Sequence, residues 1–296
     1  MKANQNRRKF LGTAIASGAA ATLPSISSEK KTHSSETLVA QLYNSLNEKQ
    51  KSAICFDFDH KLRLAVDNNW HITKPRLSNS YTPDQQELVK EIFMGLHSEK
   101  YAKTVYDQVV HDSGQAGFGD SSIALFGKPG TGKFEFVLTG RHCTRRCDGD
   151  SVEGTAFGGP IFYGHAAEGF VEKPDHPGNA YWYQAKKANE VFQMLNGKQR
   201  KLALIDECRD EEGTDTVKLT GKKKGLEGIP MTELTADQKN KVRETLVDIM
   251  APYREKDSKE ALKLIDQAGF DHLHMAFSEI EDVGRDQVWD VWQIEG

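Results

Sequence analysis

Apolar residues recur every three or four positions along two stretches of the chain. Leu88, Ile92 and Leu96 form one stripe, and Val242, Leu246, Ile249 and Met250 form another. That period places apolar side chains on one face of an α-helix. Similar patterning predicts helices over 37–46, 99–110, 183–195 and 258–268, with Gly269 ending the last. Four helix starts share a motif: Leu46-Asn47-Glu48-Lys49-Gln50, Tyr81-Thr82-Pro83-Asp84-Gln85, Leu195-Asn196-Gly197-Lys198-Gln199 and Leu234-Thr235-Ala236-Asp237-Gln238. In each, an Asn or Thr accepts from the free N–H groups of the first turn, while the Gln three residues on reaches back to the cap. The apolar residue ahead of each cap acts as a staple, and Pro83 suits a first helical position. The spacing between the four motifs is irregular, which argues against a solenoid and predicts four well-capped surface helices.

The middle of the chain alternates instead. Phe134, Phe136 and Leu138 fall on one face, and Glu135, Val137 and Thr139 on the other, as in a half-buried strand. The runs 122–126, 161–163, 272–277 and 288–294 read as further strands. Helices and strands do not alternate strictly. The expected fold is therefore α+β, a mainly antiparallel sheet with several amphipathic helices, in a single domain over 36–296.

The N-terminus has a different pattern. Asn6-Arg7-Arg8-Lys9-Phe10-Leu11 precedes an Ala- and Gly-rich apolar run over 12–23 and then Ser25, Ser27 and Ser28. Residues 1–28 have the layout of a twin-arginine export signal. The run of about a dozen residues falls short of the roughly twenty a membrane span needs, so no stable membrane anchor is expected. The implied partner is the twin-arginine export machinery. The implied location is periplasmic or secreted, in an oxidising compartment away from ATP. Removing the four basic residues of this segment takes the net charge from −4 to −8, which argues against nucleic acid as a partner. Lys222-Lys223-Lys224 lies between Gly221 and Gly225 and reads as a solvated loop.

Gly127-Lys128-Pro129-Gly130-Thr131-Gly132-Lys133-Phe134 approaches a phosphate-binding loop but lacks the Ser or Thr after the lysine. A strand pattern follows it where such a loop must open a helix. It reads as a turn between antiparallel strands, and no nucleotide is expected.

Metal-ligating chemistry concentrates in two places. Arg141-His142-Cys143 leads to Cys147, Asp148 and Asp150; His272 and His274 flank Leu273 on a strand pattern. On such a strand two imidazoles stand about 7 Å apart on one face, a spacing that can chelate one ion. His142, His272 and His274 are the expected ligands, with His165 or Cys143 completing the shell and His60 a further candidate. Such donors suit a divalent metal: zinc, copper or iron. In an extended strand Cys143 and Cys147 lie about 13 Å apart, so pairing them requires a turn after Cys143. The thiols have a rival use as disulfides, with Cys55 and Cys208 as partners. Glu168, Glu172 and Asp175 are candidates for acid–base chemistry, and Tyr181-Trp182-Tyr183 is expected to pack a helix start.

Several of these features together resemble an exported bacterial family called domain of unknown function 3500. They are the Leu-(Asn/Thr)-x-x-Gln starts, Asn69-Trp70-His71, Phe126-Gly127-x-Pro129, Gly140-Arg141-His142, and Ala268-Gly269-Phe270 leading to His274-Met275-Ala276-Phe277. The resemblance runs from about Glu36 to the C-terminus. It implies a Gly-His-His element, of which His142 matches the second histidine and Arg141 replaces the first. It also implies a further strand with a His-x-His element beyond a glycine such as Gly296, so the chain as given is expected to lack the end of its sheet. It bears on export and fold more than on activity. The expected function is an exported protein with a His-centred divalent metal site, a metal-dependent hydrolase. The alternative is a non-catalytic secreted binding or structural module stabilised by disulfides.

Overall fold

Two sheets faced by helices carry the fold of the computed structural model, which describes residues 34–165, 172–207, 221, 224–280, 282 and 285–296. The expected export signal, Glu168, Cys208, Lys222 and Lys223 lie outside the described residues. In the first sheet the order is β1 (Cys55–Phe56), β2 (Ser122–Gly127), β3 (Phe134–Gly140), β4 (Cys143–Cys147) and β5 (Phe162–Tyr163). In the second, β8 (His274–Ser278) pairs with β6 (Leu204–Ile205), β7 (Ile229–Pro230) and β9 (Trp292–Glu295). Among the described residues no helix is long and apolar enough to cross a membrane.

The α+β expectation holds, but both sheets are mixed rather than mainly antiparallel. β1 runs parallel to β2, and β6 runs parallel to β8. A parallel pair needs a long crossover. Here helices supply it: α3 (Leu77–Ser80), α4 (Pro83–Gly95) and α5 (Ala102–Asp112) before β2, and α8 (Ala236–Met250) and α9 (Glu255–Ala268) before β8. β1 and β6 are two residues long and directly follow the short helices α2 (Glu48–Ile54) and α7 (Gly197–Ala203), so alternation cannot reveal them.

The two halves share one order of elements. α1 (Ser35–Ser45), α2, β1, α4, α5, β2 and β3 are matched by α6 (Trp182–Met194), α7, β6, α8, α9, β8 and β9. All four capping boxes form. Their glutamines are not surface features, because they interlock in pairs. Gln50 Nε2 donates to Gln85 Oε1 (2.9 Å) and Ser80 O (2.8 Å), and Gln85 Nε2 donates to Ser45 O (2.9 Å). The second half repeats this: Gln199 Nε2 donates to Gln238 Oε1 (2.9 Å) and Glu233 O (2.8 Å), and Gln238 Nε2 donates to Met194 O (2.8 Å). Gln85, Gln199 and Gln238 are buried. Each pair ties two helix starts together through amides whose polar atoms are all used, which is what makes their burial tolerable.

The first sheet is covered on both faces. Ile123, Leu125, Phe136 and Leu138 join the core formed with α1, α4 and α5, while Ala124, Phe126 and Val137 pack with Ile72 on the reverse. The Gly127-to-Phe134 segment is the expected hairpin turn, with Lys128 N–H donating to Lys133 O (3.0 Å) and Gly127 at φ 75°. Among the described residues Cys55, Cys143 and Cys147 are free thiols. β4 continues straight from Cys143 to Cys147, and both sulfurs belong to the first core. The turn that would pair these two cysteines is absent, and no disulfide forms among the described residues.

Candidate functional site

α5 turns the face containing Val105, Gln108, Val109 and Asp112 into the protein. Two of those four buried positions are polar, and Asp112 is the last residue of the helix. Its carboxylate accepts from His142 Nδ1 at Oδ2 (2.7 Å), from His165 Nδ1 at Oδ1 (2.7 Å) and from Gln108 Nε2 at Oδ1 (2.8 Å). Gln108 Oε1 in turn accepts from Ala180 N (3.0 Å), tying α5 to the segment that opens α6.

The network continues past His165. Its Nε2 lies 2.7 Å from Glu172 Oε2, and Glu172 Oε1 lies 2.7 Å from His111 Nε2. His176 Nδ1 stands 3.1 Å from Glu172 Oε2 and also accepts from Gly178 N (3.0 Å). The result is an unbroken series His142–Asp112–His165–Glu172–His111, with His176 at its far end. Gly178 makes room for it. A Cβ there would lie 2.9 Å from His111 Nε2 and 2.9 Å from His176 Nδ1.

Three segments position these side chains. His111 and Asp112 end α5. His142 belongs to the two-residue link Arg141-His142 between β3 and β4, across which Gly140 pairs with Cys143. The strand therefore turns before Cys143 rather than running on through it. His142 adopts φ 51°, a left-handed conformation uncommon for a residue with a Cβ, and its N–H donates to Asn68 O (2.7 Å). His165 follows β5, and Glu172 and His176 lie on the approach to α6.

The charges support one another. Burial alone raises the Asp112 carboxyl, but hydrogen bonds from His142 and His165 outweigh it and hold the group below its ordinary 3.8. Glu172 is likewise raised by burial and lowered further by His165 and His111, ending below 4.5. Burial pulls the His165 imidazole down, yet Asp112 and Glu172 bring it above 6.5. Each ring nitrogen of His165 faces an acceptor oxygen at 2.7 Å. Such a ring carries two protons, or one proton at Nδ1 and a metal at Nε2.

His111, His165 and Glu172 offer ligand atoms that all lie within 4.8 Å of one another. Two imidazoles and a carboxylate suit zinc or non-haem iron. Asp112 behind His165 is the outer carboxylate that a ligating histidine commonly uses. Of the residues expected from sequence, His142 and His165 do meet, both on Asp112, but His142 is not among the three converging donors. Cys143 is fully buried in the first core, and burial pushes its thiol up, away from the thiolate a metal needs. His274 opens β8 of the second sheet, His272 precedes it, and both lie outside the converging group. β8 begins only at His274, opposite Glu295 and Pro230, while His272 lies in a short turn against Gly269, so the pair does not project from one strand. His60 caps its own turn and stacks on Phe56. Tyr181 packs on Tyr163 at the start of α6, as expected.

Sequence patterning misses Asp112, Gln108, His111 and His176. The available signal was the pair Gln108 and Asp112, spaced to share the apolar stripe of α5, where polar residues need a reason to be buried. No curated protein sequence and no solved structure matches the chain. The family described as "Protein of unknown function (DUF3500)" matches residues 28–289, most of the chain, and the protein belongs to it.

Proposed function

We propose that this is an exported metal-dependent hydrolase centred on His111, His165 and Glu172. The observation that carries the reading is His165, held between two carboxylates at 2.7 Å on each side with a second imidazole on the far oxygen. A divalent cation would be held by His165 Nε2, His111 Nε2 and a Glu172 oxygen. Three protein ligands leave a coordination position for water, as in catalytic rather than structural zinc sites. Such a cation would lower the pKa of a water beside it and so supply a nucleophile for an ester, amide or phosphoester. The Arg7-Arg8 signal supports delivery of the folded, metal-loaded protein across the membrane.

The test is metal content. Protein purified folded from the periplasm is dialysed against EDTA, reloaded with zinc, copper or iron, and assayed over a panel of chromogenic esters and phosphoesters. One metal per chain is expected, lost in His165→Gln and Glu172→Gln. If no metal binds stoichiometrically, the cluster is a salt-bridged tie carrying an imidazolium, and the hydrolase reading is wrong. Replacing Arg7 and Arg8 with lysines is expected to leave the precursor in the cytoplasm; undiminished export would remove that part of the proposal.

A further inference from the structure

We propose that Arg145 is a positioning residue of this site, whose single guanidinium holds together the two chain segments that deliver His165 and Glu172. The proposal rests on the metal reading of His111, His165 and Glu172 and deepens it. Arg145 lies at the middle of β4, on the same face as Cys143 and Cys147 of the first core, and is buried. Its hydrogen bonds reach three separate parts of the chain. Nη1 donates to Phe162 O (2.6 Å), where β5 opens just before His165. Nη2 donates to the Tyr181 hydroxyl (3.4 Å), on the stretch that leads from Glu172 and His176 into α6. Nε donates to His97 Nε2 (3.0 Å), just past α4. Burial and the adjacent Arg145 charge push the His97 imidazole down to about 3, so it stays a neutral acceptor, with Nδ1 on Phe93 O (2.7 Å). The rings of Phe93, Tyr163 and Tyr253 stand 5.9, 5.7 and 5.8 Å from the guanidinium carbon.

Among the described residues this buried cation has no ion-pair partner, whereas its neighbour Arg146 meets Glu135. For stability alone an apolar side chain of similar size would serve as well or better. What arginine adds is a planar fork that satisfies several acceptors at once. The segment it holds needs such a tie. β5 is two residues long and meets β4 only at Cys143↔Tyr163 and Thr144↔Phe162, so the ladder alone fixes the approach to His165 weakly. At the other end Tyr181 packs on Tyr163, with centroids 4.5 Å apart. Ala180 N–H beside it donates to Gln108 Oε1 (3.0 Å), and Gln108 Nε2 donates to Asp112 Oδ1 (2.8 Å), the oxygen that also holds His165. A shift at Tyr181 is therefore passed to the support of His165 as well as to the stretch bearing Glu172.

The experiment compares wild type, Arg145→Met, Tyr181→Phe and Phe277→Leu in the full mature chain. Phe277→Leu is the control, because it loosens the second core, which contains none of the three converging donors. Thermal unfolding fixes a temperature at which the variants are folded. Zinc affinity is measured there by competition with a chromophoric chelator, and amide hydrogen exchange by NMR on metal-free protein. Arg145→Met is expected to weaken zinc about tenfold, the low end of what loss of an outer partner does. It is also expected to speed exchange, relative to the amides of β2, at Asn179 and Ala180, whose N–H groups donate to His176 O (2.8 Å) and Gln108 Oε1 (3.0 Å). Tyr181→Phe keeps the ring, removes one acceptor and is expected to give smaller changes in the same direction. Phe277→Leu is expected to lower the unfolding temperature and leave zinc affinity and the relative exchange of these two amides unchanged. A purely structural Arg145 would make Arg145→Met behave like this control. Wild-type zinc affinity in folded Arg145→Met, or exchange at Asn179 and Ala180 no faster than in Phe277→Leu, overturns the proposal. If Arg145→Met does not fold, Tyr181→Phe decides, and wild-type zinc affinity with wild-type exchange at Ala180 overturns it. Failure of wild type to take up zinc removes the metal reading instead, and exchange at Asn179 and Ala180 then still decides whether the guanidinium holds the segment.

Discussion

Gly178→Ala tests the convergence of imidazoles with a single methyl group. The Cβ would stand 2.8 Å from His111 Cδ2, 2.9 Å from His111 Nε2 and 2.9 Å from His176 Nδ1. Ordinary contact begins near 3.5 Å, so each ring must retreat by about half an ångström. A zinc–nitrogen bond is about 2.0–2.1 Å, and a working site holds its distances to about 0.2 Å. The displacement therefore exceeds what the coordination sphere absorbs, and zinc affinity is expected to fall on the order of 10- to 100-fold, a loss comparable to disturbing an outer partner. The fold has little reason to suffer. The atoms met are the ends of partly exposed side chains, Gly178 does not need a left-handed φ, and alanine removes about 0.4–1 kcal/mol of unfolded-state entropy. The assay is zinc competition alongside thermal unfolding of the metal-free protein. Gly197→Ala is the control, because a Cβ there meets nothing within 4 Å. If Gly178→Ala bound zinc as tightly as wild type, His111 and His176 would not flank this point, and the ligand geometry argued above would be wrong.

Two further predictions follow from the framework and the charges. Gln85→Leu removes the returning half of a capping box, leaving the Thr82 cap in place, and leaves partners of the clasp unsatisfied at about 1–3 kcal/mol each where buried, so urea denaturation should show a loss of about 2–4 kcal/mol. Gln238→Leu should cost a similar amount, and the double variant Gln50→Leu/Gln85→Leu less than the sum of its singles; strict additivity would contradict the interlock. In metal-free protein, Asp112 and Glu172 lie below their ordinary 3.8 and 4.5, so their stabilisation is present above those values and lost as pH falls through the lowered ones. His165 lies above 6.5, so its stabilisation is complete below 6.5 and lost as pH rises through the raised value. The cluster's contribution to thermal stability should therefore form a plateau over about pH 4.5–6.5, with the alkaline decline abolished by zinc and both limbs flattened in Asp112→Asn.

The parts of this fold that are local in sequence were legible. Asn47 with Gln50 and Thr82 with Gln85 announce their helices because a capping box spans four consecutive residues. That the same glutamines clasp one another was hidden, since Gln50 and Gln85 meet only through tertiary packing. β1 and β6 were hidden for a different reason: two residues hold no period. At the site, His142 and His165 drew notice as histidines, but the carboxylate that unites them did not. Reading α5 by its apolar positions passes over Asp112, although its burial on that stripe was the stronger clue. Arg141-His142 contains no glycine, proline or asparagine to announce a turn, so the hairpin between β3 and β4 has no local signature in the sequence. His272 and His274 misled because their alternation assumed a strand that starts two residues later.

The location of the cluster follows from what the two halves do and do not share. Helix pairs, clasps and parallel edge strands recur in both, so they answer to the common framework. Among the described residues the converging donors lie at the end of α5 and on the stretches flanking residues 166–171, outside the elements the second half repeats. The end of α5 is favourable ground for a cation. The unsatisfied carbonyls there carry roughly half a negative charge, and Asp112 adds a full one. His165 and Glu172 then extend that field outward to His111. A positive charge, whether proton or metal, is stabilised at His165 before any substrate arrives. The rigid helix that presents Asp112 is anchored in the first core by Val105 and Val109. Its hydrogen-bond partner His142 is held by a left-handed link rather than by a regular element, so the two sides of the Asp112 carboxylate are fixed by different parts of the fold.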